Sequence, residues 1–120
     1  MDSTQTSNVR TASTVGILAG LWLIISPFIL GNSGVSTVMW NEIIFGVIVA
    51  VLAGIQMAST ETRWPSWINF VVGLWLILAP FVLNSYTGLG AARSNDVVLG
   101  IIVGLTGLWA ALATPEVQHR

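Results

Sequence analysis

The chain has no cysteine and no lysine, a single histidine, and only nine charged side chains, 8% of its 120 residues. Each shortage excludes something. Without cysteine there is no disulfide and no thiolate metal site. The lone histidine, His119, is the penultimate residue, so it offers no axial ligand at membrane depth. A net charge of −1 and four scattered arginines (Arg10, Arg63, Arg93 and Arg120) give no basic field for nucleic acid. Soluble domains carry about 25% charged residues, and a small one has much surface for its volume. Nine charges and one histidine could not cover that surface. Apolar residues are 54% of the chain, so hydrocarbon is the solvent that fits.

Four apolar stretches follow a polar N-terminal segment of residues 1–12, which is expected to be mobile and retained. They cover residues 13–30, 41–58, 66–83 and 95–113. None contains a lysine, arginine or histidine, and the only acids, Glu42 and Asp96, stand at stretch starts. Spanning helices need about 20 apolar residues, roughly 17–25, so these are short spans. Strands are excluded by length, by the lack of period-two alternation and by the Gly and Ala content. Buried soluble helices are excluded by the absence of a polar face. Residues 31–40 and 84–94 are Gly-rich polar loops, 59–65 is a short polar turn, and 114–120 is a polar tail. Trp40, Trp64, Trp67 and Tyr86 flank the stretches, as an interfacial aromatic belt does. With four spans, Arg10, Arg63 and Arg120 share one side and Arg93 lies on the other. The positive-inside rule then puts both termini in the cytoplasm.

The chain also repeats itself. Residues 13–30 (STVGILAGLWLIISPFIL) and 66–83 (SWINFVVGLWLILAPFVL) are identical at nine of 18 positions at an offset of 53. The second stretches match at an offset of 54, with Asn41-Glu42-Ile43-Ile44-Phe45-Gly46 facing Asn95-Asp96-Val97-Val98-Leu99-Gly100. Each copy holds two spans, so both enter the membrane from the same side. The copies are therefore parallel repeats about an axis along the membrane normal, not inverted ones. The expected fold is an all-α integral membrane four-helix bundle made of two tandem helical hairpins, residues 13–58 and 66–113.

The segments from Gly20 to Phe28 (GLWLIISPF) and from Gly73 to Phe81 (GLWLILAPF) resemble the SPW repeat of small prokaryotic membrane proteins. The Gly-x-Trp-Leu lead-in and the Asn-acidic start of the next helix fit that family. The Ser-Pro-Trp signature itself is altered here to Ser26-Pro27-Phe28 and Ala79-Pro80-Phe81. The resemblance implies a bacterial or archaeal inner-membrane protein and supplies no activity.

Several residues invite two readings. Pro27 and Pro80 each remove an amide donor and free the carbonyl four residues earlier, at Leu23 and Leu76. They either kink or end a helix, or they break it so that freed carbonyls meet an ion. Trp22 and Trp75 either pack, inside the bundle or toward lipid, or present a stacking surface to a pigment or quinone. Gly16 and Gly20, then Gly46, Ala50 and Gly54, then Gly100 and Gly104, form rows at four-residue spacing that let helices approach closely. The rows exceed one internal contact set, which favours a homo-oligomer or docking on a larger membrane complex. Asn41 and Asn95 have the chemistry of helix N-caps, placing Glu42 and Asp96 in the first turn, where the helix dipole favours acids. The rival reading has the two carboxylates meet near the symmetry axis and share a cation or proton.

No catalytic, cofactor or metal constellation emerges. Ser26 has no histidine or lysine to activate it, and its counterpart is Ala79. The residue types that acid–base and metal catalysis need are missing from the spans, so an enzyme is not expected. A proton-driven exporter needs an ionisable group at membrane depth, and none lies deep in the stretches as bounded above. What remains is a non-catalytic structural or accessory subunit, or else a passive channel or small transporter, with Asn69 as a candidate polar lining group.

Overall fold

A computed structural model describes residues 3–30, 34, 36–59, 62–83 and 88–113. Four α-helices account for nearly all of them: α1 (Ser3–Ile29), α2 (Ser36–Ala58), α3 (Trp64–Val82) and α4 (Gly90–Ala113). All four are long and apolar enough to cross a membrane. They form one elongated bundle of 51 × 22 × 17 Å. Helix α1 packs on α2 and α4, and α3 packs on α4 and α2, while α2 and α4 also touch across the centre.

The helices begin earlier than hydropathy suggests, and this corrects three expectations. Residues 3–12 are not a loose tail but the first turns of α1. Val9 and Ala12 are buried, and Ala12 lies beside Gly107 and Ala110 of α4. Two apolar side chains three residues apart suffice to fasten an otherwise polar helical face. Helix α2 starts at Ser36 and α4 at Gly90, so the last five residues of each sequence-defined loop are helical. The reason is the same: Val38 and Ala92 are fully buried, packed with Leu83 and Leu89. Helix α3 opens with Pro65 in its first turn, where a missing amide costs nothing. Trp40, Trp64 and Trp67 are exposed near helix starts, as an aromatic belt requires. Tyr86 lies outside the described residues.

The prolines do not break their helices. Helix α1 continues two residues past Pro27, and α3 two past Pro80. Each closes with one more α-turn, Leu30 N to Ser26 O at 2.8 Å and Leu83 N to Ala79 O at 2.8 Å. The Leu23 carbonyl that Pro27 would leave without its amide accepts the Ser26 hydroxyl at 3.0 Å. Ala79 has no hydroxyl to repeat this in the second copy.

Two glycine contacts set the helix spacing. A Cβ on Gly20 would stand 2.7 Å from the Gly46 carbonyl and the Ala50 amide, and one on Gly46 would stand 2.7 Å from the Gly20 carbonyl. The second copy does the same: a Cβ on Gly100 would stand 2.7 Å from the Gly73 carbonyl, and one on Gly73 would run into the Gly104 backbone. The Gly/Ala rows are thus taken up inside each hairpin, including Gly16 against Ala53. Gly54 is the exception, with no atom near its missing side chain. Gly107, outside those rows, is equally tight, its Cβ position 2.8 Å from the Phe70 amide and the Ser66 carbonyl.

The middle of the axis is apolar. Leu23, Val49, Leu76 and Val103 are at most 1% exposed and meet in one cluster with Ala19, Val72 and Leu99. Outward-facing Leu, Ile, Val and Phe residues cover all four helices, which is the surface a lipid solvent calls for.

Candidate functional site

Two polar layers lie inside the bundle, one on each side of this apolar middle. The layer toward the hairpin loops is built from the repeated Trp and the repeated Asn-acid pair. Trp22 of α1 donates its indole N–H to Asn95 Oδ1 of α4 at 2.6 Å. Trp75 of α3 donates to Asn41 Oδ1 of α2 at 3.1 Å. These two bonds exchange under the repeat offset, Trp22 for Trp75 and Asn95 for Asn41, so each copy ties itself to the other. The Trp residues thus pack within the bundle and do more than pack. Their ring N–H groups fix the two Asn side chains, and Trp75 also packs against Phe45 at 6.0 Å between ring centres.

With its oxygen engaged by Trp22, Asn95 turns its amide nitrogen to Glu42 Oε2 at 3.3 Å. Across the axis Glu42 meets Asp96, and Ser26 stands beside it with its hydroxyl given to the Leu23 carbonyl. Both acids are fully buried, and Ser26 is too. The expectation that Asn41 and Asn95 cap helices, with Glu42 and Asp96 in the first turn, is corrected here. Each acid stands six residues into its helix, roughly 9 Å along the axis at 1.5 Å per residue, and neither first turn holds an acid. The buried turn that carries Val38 and Ala92 precedes them. What the structure brings together is the carboxyl pair of the rival reading.

The surroundings of the pair are apolar or uncharged. Val38 and Ala92 lie one turn toward the loops, and Leu23 and Leu76 lie toward the bundle centre. The nearest cation in sequence, Arg93, is exposed and lays its guanidinium over the Phe81 ring at 5.5 Å. Loop residues 31–35 and 84–89 include no charged side chain. Glu42 Oε1 is buried without a hydrogen-bond partner. Among the described residues no group of three His, Cys, Asp or Glu could hold a metal ion.

The second polar layer lies toward the termini. Ser66 donates to Gln56 Oε1 at 2.7 Å, joining α3 to α2, and Asn69 donates to the Val49 carbonyl at 3.3 Å. Ser13, Asn69 and Thr106 line a cavity of about 10 Å³, near the smallest volume that holds a water. Asn69 is thus a tie between helices, and Gln56, unremarked in sequence, is its fully buried neighbour in this layer.

Neither the curated proteins nor the solved structures give a match to the chain. The family model of the SPW repeat domain matches residues 10–110, a span that holds both copies of the Trp, the Asn and the acid that the bundle joins across its axis. This small multi-pass membrane protein belongs to the SPW repeat family.

Proposed function

We propose that the protein acts through its outer surface, as a non-catalytic structural or accessory subunit that self-associates or docks on a larger membrane complex. The observation that supports this is the closed middle of the bundle. A passive channel or transporter, the alternative, needs a polar path or a gate that can open along the axis. Here Leu23, Leu76, Val49 and Val103 separate the two polar layers. Within each hairpin the helices are also held at backbone distance, by Gly20–Gly46 and by Gly73–Gly100. The outer surface offers the remaining place to act. Helix α2 leaves the most of its span uncovered, with 33% of its most apolar window buried against 44% in each of the other helices. The family resemblance supports a prokaryotic inner membrane, and the arginine count supports cytoplasmic termini.

The test is gentle extraction from native membranes, mass measurement of the intact assembly and identification of companion chains. An oligomer or a stoichiometric partner is the expected result. A bare monomer that carries solutes across reconstituted vesicles would replace this reading with the channel.

A further inference from the structure

We propose that Glu42 and Asp96 form a proton-binding site, with one proton held between the two carboxyl groups and the one remaining negative charge facing the Asn95 amide. The site goes beyond the accessory reading and stands whether or not the protein associates with others.

Three observations carry it. First, two carboxyl groups in contact, both fully buried, repel if both are ionised, and the apolar bundle screens that repulsion poorly. No positive group faces them from any of the four helices. Helix α1 brings Ser26 and Trp22, α3 brings Trp75, α2 and α4 bring Asn41 and Asn95, and Arg93 is turned onto Phe81. Second, Glu42 Oε1 is buried with no donor, whereas Oε2 accepts from Asn95. Buried acceptors are rarely left so. A neighbouring carboxyl that carries a proton has an O–H to donate, and the carboxyl in contact is that of Asp96.

Third, the groups around the pair select a proton over a metal ion. Each Asn carbonyl oxygen is already taken by an indole N–H. The Asn95 face turned to the acids is therefore its amide N–H₂, a donor that opposes a cation. Hard cations want about six or more oxygens, and the two carboxyl groups supply fewer. Binding is the simple association of H⁺ with a carboxylate oxygen. One O–H bond forms, and nothing is oxidised or reduced.

The experiment uses the full chain in phosphatidylcholine nanodiscs, followed by infrared spectroscopy with carbon-13 label in the carboxyl groups of Glu alone or Asp alone. At neutral pH the expected spectrum has a protonated-carboxyl band worth one group per chain. The band should move with deuteration and with the Glu or Asp label. Exchange among sodium, potassium, magnesium and calcium chlorides at fixed ionic strength should leave it unchanged. The band should be lost in Glu42→Gln and in Asp96→Asn. Absence of the band in folded wild-type protein would overturn the proposal. So would its disappearance, with proton release, on adding one of those cations, which would make the pair a cation site. The labelled wild-type spectra decide the matter without the variants, should either fail to fold.

Discussion

The glycine contacts make a prediction whose main uncertainty cancels. Replace Gly46 by alanine, and separately Gly54. Both lie in α2, so both gain the same helix preference of alanine over glycine, about 0.5–1 kcal/mol. At Gly54 nothing opposes that gain, because the new methyl group meets no atom within 4 Å. At Gly46 it would stand 2.7 Å from the Gly20 carbonyl oxygen, 2.9 Å from Ile24 Cγ1 and 3.0 Å from the Ile24 amide nitrogen. Two of these atoms are backbone of the facing helix and cannot swing aside, so α1 must move. Overpacking of this kind costs about 1–3 kcal/mol. The propensity term drops out of the comparison, and the two variants should differ by that cost alone, about 5- to 150-fold in the unfolding equilibrium at 1.4 kcal/mol per tenfold. Gly100→Ala should behave like Gly46→Ala, since its methyl group would meet the Gly73 carbonyl at 2.7 Å. The assay is reversible unfolding in mixed micelles followed by circular dichroism. Equal stability of the Gly46 and Gly54 variants would refute the close approach. Loss of oligomer with unchanged monomer stability in Gly46→Ala would show that the row serves another subunit instead.

Two further outcomes follow from the interior. Trp22→Phe, Trp75→Phe and Asn95→Ala, combined in double-mutant cycles, should give a coupling of about 0.6–1.7 kcal/mol for Trp22 with Asn95, the range found for hydrogen bonds between membrane helices, and none for Trp75 with Asn95. Leu23→Ala and Leu76→Ala should each destabilise the bundle by about 2 kcal/mol in the same unfolding assay, the low end of the range for soluble cores, because the side chain leaves the core for lipid rather than water.

Much of the fold was legible because the signal was large. Runs of about 20 apolar residues admit few structures, and a repeat with nine identities in 18 positions fixes how the two halves relate. The helix starts were not legible from hydropathy, since Ser36 to Trp40 and Gly90 to Ser94 mix polar with apolar residues. A finer signal was present. Val38, Glu42, Gly46, Val49, Ala53 and Gln56 follow one another at three- or four-residue spacing, and all are buried. Adding 54 gives Ala92, Asp96, Gly100, Val103, Gly107 and Ala110, again all buried. That stripe puts each acid on the inner face and adds a turn before it. Reading Asn41 and Asn95 as caps stopped the stripe one turn too soon. The Trp–Asn bonds were less accessible, because they join residues 73 and 34 apart in sequence, and only the packing of one hairpin on the other brings them together.

The buried polar positions at which the two copies differ follow a physical rule. Near a two-fold axis, a side chain meets its own counterpart, and two long polar groups of one kind compete for the same space. A fused repeat escapes this by pairing a long residue with a short one. Glu42 faces Asp96, one methylene shorter. Gln56, fully buried, corresponds to Ala110, and Asn69 corresponds to Gly16. Ser26, buried beside Glu42, corresponds to Ala79. All four differences fall in the two polar layers. In the apolar middle Leu23 and Val49 recur as Leu76 and Val103, and the changes there, Ala19 to Val72 and Phe45 to Leu99, trade only size and shape, because apolar groups interdigitate without needing a donor matched to an acceptor. The polar interior therefore requires two unlike copies. A symmetric pair of first hairpins would set Glu42 against Glu42, and the two hairpins would have to part where Glu42 and Asp96 now meet.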